Sequence, residues 1–136
     1  MAAAPIVLDS GVLTTIAEKG TTLRPALLKT LIGRGRVVVP TAVIAESTTG
    51  DHRRDANVNR ALKKLSVVDL DAALAKSAAA LRHARNRSGA GTIDAIVVAT
   101  ADAVPGTAVL TSDPDDLRAL ASVRGRTRIV ALSEMV

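Results

Sequence analysis

The stretch Thr107-Ala108-Val109-Leu110-Thr111-Ser112-Asp113-Pro114-Asp115-Asp116-Leu117-Arg118 decides how the rest of the chain is read. Its apolar run, Ala108 to Leu110, has the character of a strand; it stops at Ser112 and Asp113, and Pro114 opens a helix. Three acids occupy that turn. Pro at the first helical position, acids in the first turn and a Ser or Asp cap all satisfy free backbone N–H groups, so helix-start chemistry alone accounts for them. Carboxylates in comparable places elsewhere in the chain open a second reading, in which the acids hold a cation.

Working outward, Ile6-Val7-Leu8 reads as a short buried strand ending at Asp9, followed by a helical pattern through Val12, Leu13 and Ile16 that Gly20 closes. A second helix is expected from Leu23 to Ile32, with Pro25 tolerated in its first turn. Arg36-Val37-Val38-Val39 is a second strand, and Pro40-Thr41 starts a helix carrying Val43, Ile44 and Glu46. From Asp51 to Lys64 the chain is basic and of helical character, with Arg53, Arg60 and Lys64 on one face. Ser66 to Leu70 is a third strand, and the alanine-rich run from Ala72 to Arg87 a long helix on which Arg82 and Arg85 stack. After a break at Ser88-Gly89-Ala90-Gly91, Thr92 caps a helix that is apolar almost all round and holds Asp94. Arg128 to Leu132 is the last strand.

Strands separated by helices, with β-branched runs too uniformly apolar to alternate, predict an α/β fold: a central, mostly parallel five-stranded sheet flanked by helices on both faces. In such folds ligands bind beyond the carboxyl ends of the strands, where Asp9 and Asp113 stand.

The length of 136 residues and a hydrophobic content of 48% support one domain over residues 1–136. With no cysteine, disulfides, thiolate nucleophiles and Cys-based zinc sites are excluded, which fits a reducing, cytoplasmic setting. The opening Met1-Ala2-Ala3-Ala4-Pro5 has no positive side chain, and Asp9 cuts the apolar run short of a signal-peptide core. The run from Ala95 to Ala101 falls well short of the roughly 20 residues of a membrane span.

Lys and Arg exceed Asp and Glu by 18 to 13, a net charge of +5, and most of the cations are Arg, which favours bidentate phosphate contacts. A polyanionic partner is consistent with this, as is a basic surface that only maintains solubility. The absence of Phe, Tyr and Trp excludes RNA readers that stack bases on aromatic platforms. Any nucleic acid must be held through phosphates and shape.

Four acids matter most: Asp9 at the end of the first strand, Glu46 after the second, Asp94 near the start of the most buried helix and Asp113 after the fourth strand. Asp9 and Asp113 also suit helix caps, and Asp94 suits a helix dipole. Glu46 is harder to explain that way, because its segment is expected to face the core, where an unpaired carboxylate is costly. Brought together at one sheet edge, the acids would raise one another's pKa values unless cations were present. Oxygen donors without Cys describe a hard-cation site for Mg²⁺ or Mn²⁺. Such a site hydrolyses phosphodiesters by activating water and stabilising the leaving oxygen.

The combination resembles the PIN-domain ribonucleases, in particular the VapC-type toxins of bacterial type II toxin–antitoxin pairs. The resemblance rests on Ile6-Val7-Leu8-Asp9-Ser10, Val39-Pro40-Thr41-Ala42-Val43-Ile44-Ala45-Glu46, Thr92-Ile93-Asp94-Ala95 and Leu110-Thr111-Ser112-Asp113-Pro114-Asp115-Asp116-Leu117, in that order and at fitting intervals. It implies a Mg²⁺-dependent endoribonuclease, a homodimer, silenced by a cognate antitoxin that wraps its helices and reaches a basic side chain into the acidic pocket. It also implies that Asp9, Glu46, Asp94 and Asp113 are catalytic and bind metal, with Asp115 or Asp116 as an accessory ligand. Family members often carry an aromatic where this chain has Leu117.

Other catalytic designs lack parts. There is no G-x-x-x-x-G-K-[ST] loop and no G-x-S-x-G elbow, and Gly33-Arg34-Gly35 lacks the third glycine of a dinucleotide fingerprint. A receiver domain needs a late lysine, but the last here is Lys76; a Toprim-like domain wants a glutamate where this chain has Asp9. The remaining alternative is a catalytically silent, basic α/β module that grips nucleic acid or protein while its acids serve only as caps.

Overall fold

The computed structural model describes residues 4–18, 23–85 and 91–135. Its strands are β1 (Ile6–Leu8), β2 (Val37–Pro40), β3 (Ser66–Val68), β4 (Ala108–Thr111) and β5 (Arg128–Ala131). They form one sheet in the order β3-β2-β1-β4-β5, with every pairing parallel. The inner strands β2 and β4 are buried along their whole length, as unbroken apolar runs require, whereas the edge strands β3 and β5 alternate in exposure.

The helices are α1 (Ser10–Ala17), α2 (Leu23–Arg34), α3 (Thr41–Ser47), α4 (Ala56–Leu62), α5 (Ala72–Ala84), α6 (Thr92–Asp102) and α7 (Pro114–Ala121). Strand order runs outward from β1 to β2 and β3, then returns across the sheet to β4 and β5. Right-handed crossovers in opposite directions place their helices on opposite faces. Accordingly α1 packs against α2, α3 and α4, while α6 packs against α5, α7 and the central strands. The reversal puts the topological switch point of the sheet between β1 and β4, and doubly wound sheets bind ligands beyond the carboxyl ends of the strands at such a point.

The core follows from the apolar pattern. Helix α6 buries every residue from Ala95 to Asp102, and Leu13, Leu31, Leu81, Leu117 and Leu120 close the other helices onto it and the sheet.

Several local expectations are corrected. The basic segment 51–64 is not one helix: only Ala56–Leu62 is helical. Before it, the buried Asp55 carboxylate accepts the backbone N–H groups of Thr49 and Gly50 and the Thr49 hydroxyl, while Asp51 accepts from the N–H groups of Arg53 and Arg54. Those bonds tie the chain into a turn, so Arg53 does not share a helix face with Arg60. Strand β3 ends at Val68, because the Leu70 N–H turns to the Thr41 hydroxyl at 3.1 Å. Gly91, not Thr92, is the N-cap of α6; the Thr92 hydroxyl instead accepts from Arg82 Nη1 at 2.6 Å. The expected helix end at Gly20 and the break at 88–90 lie outside the described residues.

Candidate active site

Asp9 leaves β1 and becomes the N-cap of α1. Only 8% exposed, it has both carboxylate oxygens engaged: Oδ1 accepts the Ser10 N–H at 2.8 Å, and Oδ2 accepts the Thr111 hydroxyl at 2.8 Å. The sheet register explains the meeting, since Leu8 pairs with Leu110 and the next residues on the two strands are Asp9 and Thr111. Gly11 lets the two turns approach, because the Ser112 hydroxyl occupies the space that a Cβ at position 11 would need.

Asp94, the third residue of α6, stands half-buried in the same region. Its carboxyl is raised above the ordinary value, first by burial and next by the charge of Asp9; Asp116 and Glu46 add to the rise, and a hydrogen bond from the Gly91 backbone opposes it. The charges that raise its pKa are all carboxylates. Acids from α1's cap, α3, α6 and α7 therefore share one electrostatic field, although they lie far apart in sequence.

Two placements differ from expectation. Glu46 does not face the core: it is exposed, near the end of the seven-residue α3, whose inward positions are taken by Ala42 and Val43. It is solvated rather than buried, so no burial penalty has to be explained. In the 113–116 block, the acid whose charge reaches Asp94 is Asp116, which is half-buried, whereas Asp113 and Asp115 are exposed. Asp113 is the N-cap of α7, yet its side chain makes no cap hydrogen bond; its backbone N–H donates to the Thr111 hydroxyl at 3.0 Å. Capping therefore does not account for the Asp113 carboxylate.

The donor set is all oxygen and carries an excess of negative charge, which suits a hard divalent cation. Among the described residues, no three His, Cys, Asp or Glu side chains already form a cage that could hold a metal ion. The fit thus rests on donor chemistry and shared field.

Thr111 is the site residue that composition and motif did not single out. Its signal was positional: a hydroxyl one step beyond the last strand pair, level with the first acid.

Away from the acids, a groove of about 490 Å³ runs between α1, α2 and α4, with an apolar floor of Ile16, Leu28 and Ile32 and a cationic rim of Lys29, Arg60 and Lys64. No helix among the described residues is long and apolar enough to cross a membrane.

The family model described as the PIN domain matches residues 6–123. No curated protein matches the sequence. Among solved structures, VapBC2 from Rickettsia felis, bound to a DNA fragment from its promoter, superimposes with a TM-score of 0.73 at 14% identity, covering 93% of this chain and 98% of that one. DNA-bound VapBC from Salmonella typhimurium gives 0.72 at 17% identity, covering 96% and 98%. FitAcB from Neisseria gonorrhoeae gives 0.67 at 18% identity, covering 91% and 95%. At these identities the likeness is one of fold.

Proposed function

The chain belongs to the PIN-domain family, and we propose that it is a Mg²⁺-dependent endoribonuclease of the VapC toxin type, held silent by a cognate antitoxin. The observation that carries the reading is the raised carboxyl of Asp94 among the charges of Asp9, Asp116 and Glu46, at the switch point of the sheet. Asp9, Glu46, Asp94 and Asp116 would hold the metal, Mg²⁺ or Mn²⁺, with Asp113 and Asp115 at the rim. When bound, a divalent cation there supplies Lewis-acid polarisation of the scissile phosphate and a more acidic water.

The chain's own groups do the rest. Asp94, held at the start of the buried helix α6, would present a carboxylate oxygen to the metal or to the attacking water. Asp9, fixed at both oxygens, is the rigid ligand of the set. Exposed Arg82 and Arg85 near the start of α6 attract the phosphate backbone toward a centre that would otherwise repel it.

The groove between α1, α2 and α4 supports the antitoxin partner: an apolar floor rimmed by Lys29, Arg60 and Lys64 matches an amphipathic helix with acidic flanks. The likeness to chains solved as VapBC assemblies points the same way. A homodimer follows from the family resemblance, and light scattering on the purified protein measures it directly.

RNA incubated with Mg²⁺, with EDTA, and with Mg²⁺ plus the Asp94→Asn variant tests the proposal. Cleavage is expected only in the first. Metal-independent cleavage, or full activity of the variant, would overturn the mechanism and leave a basic binding module.

A further inference from the structure

We infer that Thr111 is a positioning residue for the metal centre, acting through Asp9; the inference rests on the nuclease reading above. The side chain is wholly buried, so its hydroxyl exchanges no hydrogen bond with bulk water. It lies between two turns. On one side Oγ1 donates to Asp9 Oδ2 at 2.8 Å; on the other it accepts the Asp113 backbone N–H at 3.0 Å. With the N–H occupying an acceptor position of the hydroxyl, its proton is directed to Asp9 in preference to the Asp113 carbonyl, which lies at a longer 3.3 Å.

The consequence is a carboxylate with little freedom. The Ser10 N–H fixes Oδ1 and Thr111 fixes Oδ2, so rotation of the Asp9 carboxyl breaks at least one bond in a nearly dry setting. Each oxygen keeps further lone-pair capacity for a cation. The same hydroxyl also anchors the backbone from which Asp113, Asp115 and Asp116 depart, so one buried group sets the first acid and the last block of acids relative to each other. Groups that orient ligands in this way, without touching the metal, govern its affinity.

Titration calorimetry with Mn²⁺ as the probe tests this on the whole protein. Thr111→Val keeps the volume and removes the hydroxyl; its Mn²⁺ affinity is expected to fall about 10- to 100-fold, with Thr111→Ser restoring most of it. Far-UV circular dichroism checks that each variant is folded, and Thr111→Cys, a weak donor of similar size, replaces Val should Val prevent folding. A merely structural threonine would lower the melting temperature in Thr111→Val and leave Mn²⁺ binding unchanged, and that outcome overturns the inference while sparing the nuclease reading. Failure of the unaltered protein to bind Mn²⁺ overturns both.

Discussion

Ionised Asp94 stands half-buried among charges of its own sign, and folding has to tolerate it. A carboxyl whose pKa is raised by folding binds its proton more readily in the folded chain. Its contribution favours folding below the ordinary value of 3.8 and is lost as pH climbs through the raised one. At neutral pH Asp94 therefore opposes folding, and Asp94→Asn is expected to raise the melting temperature of the metal-free protein by a few degrees at pH 7. The gain should shrink as the pH falls toward 3.8; a variant that melts lower than the parent at pH 7 would contradict the shared field. Excess Mg²⁺ should raise the melting temperature of the parent, by mass action on the folded state, and scarcely that of the variant. Asp55 carries the opposite sign. Burial pushes its carboxyl up, but hydrogen bonds from Thr49 and Gly50, with His52 nearby, outweigh that and hold it below 3.8. It stabilises the fold above that value and loses its hold as pH falls through the lowered one, so Asp55→Asn should melt lower at pH 7, with the deficit narrowing in acid.

Helices α5 and α7 both begin at an aspartate, and only one of them is capped by it. The Asp71 side chain accepts the Leu74 N–H at 2.8 Å, whereas the Asp113 side chain makes no cap bond. Asp71→Ala is expected to cost about 1 kcal/mol of stability, and Asp113→Ala much less, by paired urea denaturation. Equal losses would return Asp113 to the role of a cap. The contrast marks where sequence reading stops. Strands β1, β2 and β4 were legible because short β-branched runs fill buried inner positions, and α6 because its apolar surface leaves it no place but the interior. The turn at 49–55 was not, since the basic residues suggested a helix while a single carboxylate, Asp55, gathered the local N–H groups. Nor was it legible which of Asp113, Asp115 and Asp116 brings its charge to bear on Asp94. Successive helical residues point about 100° apart, and it is the burial of Leu117 and Leu120 that rotates α7 so that Asp116 comes under Asp94's influence. Thr111 was hidden for a related reason: its partner, Asp9, is 102 residues away and adjacent only through the sheet.

Taken as one body, the molecule carries a net charge of +5 around a centre whose local charge is negative, and substrate capture depends on how the two are arranged. Arg82 and Arg85 lie exposed at the end of α5, and Arg82 reaches across to Thr92 at the start of the helix that bears Asp94. Cations at that position, two residues along α6 from Asp94, are expected to offset part of the repulsion a phosphate backbone meets on approach to the acids. Each phosphate neutralised on a single strand contributes about 0.7 to the slope of log affinity against log salt, so reversing both arginines should flatten that slope by about 1.4 if each holds one phosphate. The measurement is fluorescence anisotropy of a labelled single-stranded RNA across a salt series, on the Asp94→Asn background so that cleavage does not intervene. Weaker binding with an unchanged slope would mean that the reversal perturbs the Arg82–Thr92 contact rather than phosphate capture, and the basic surface would then have to be sought at Arg53, Arg54 and Arg60, which flank the turn built on Asp55.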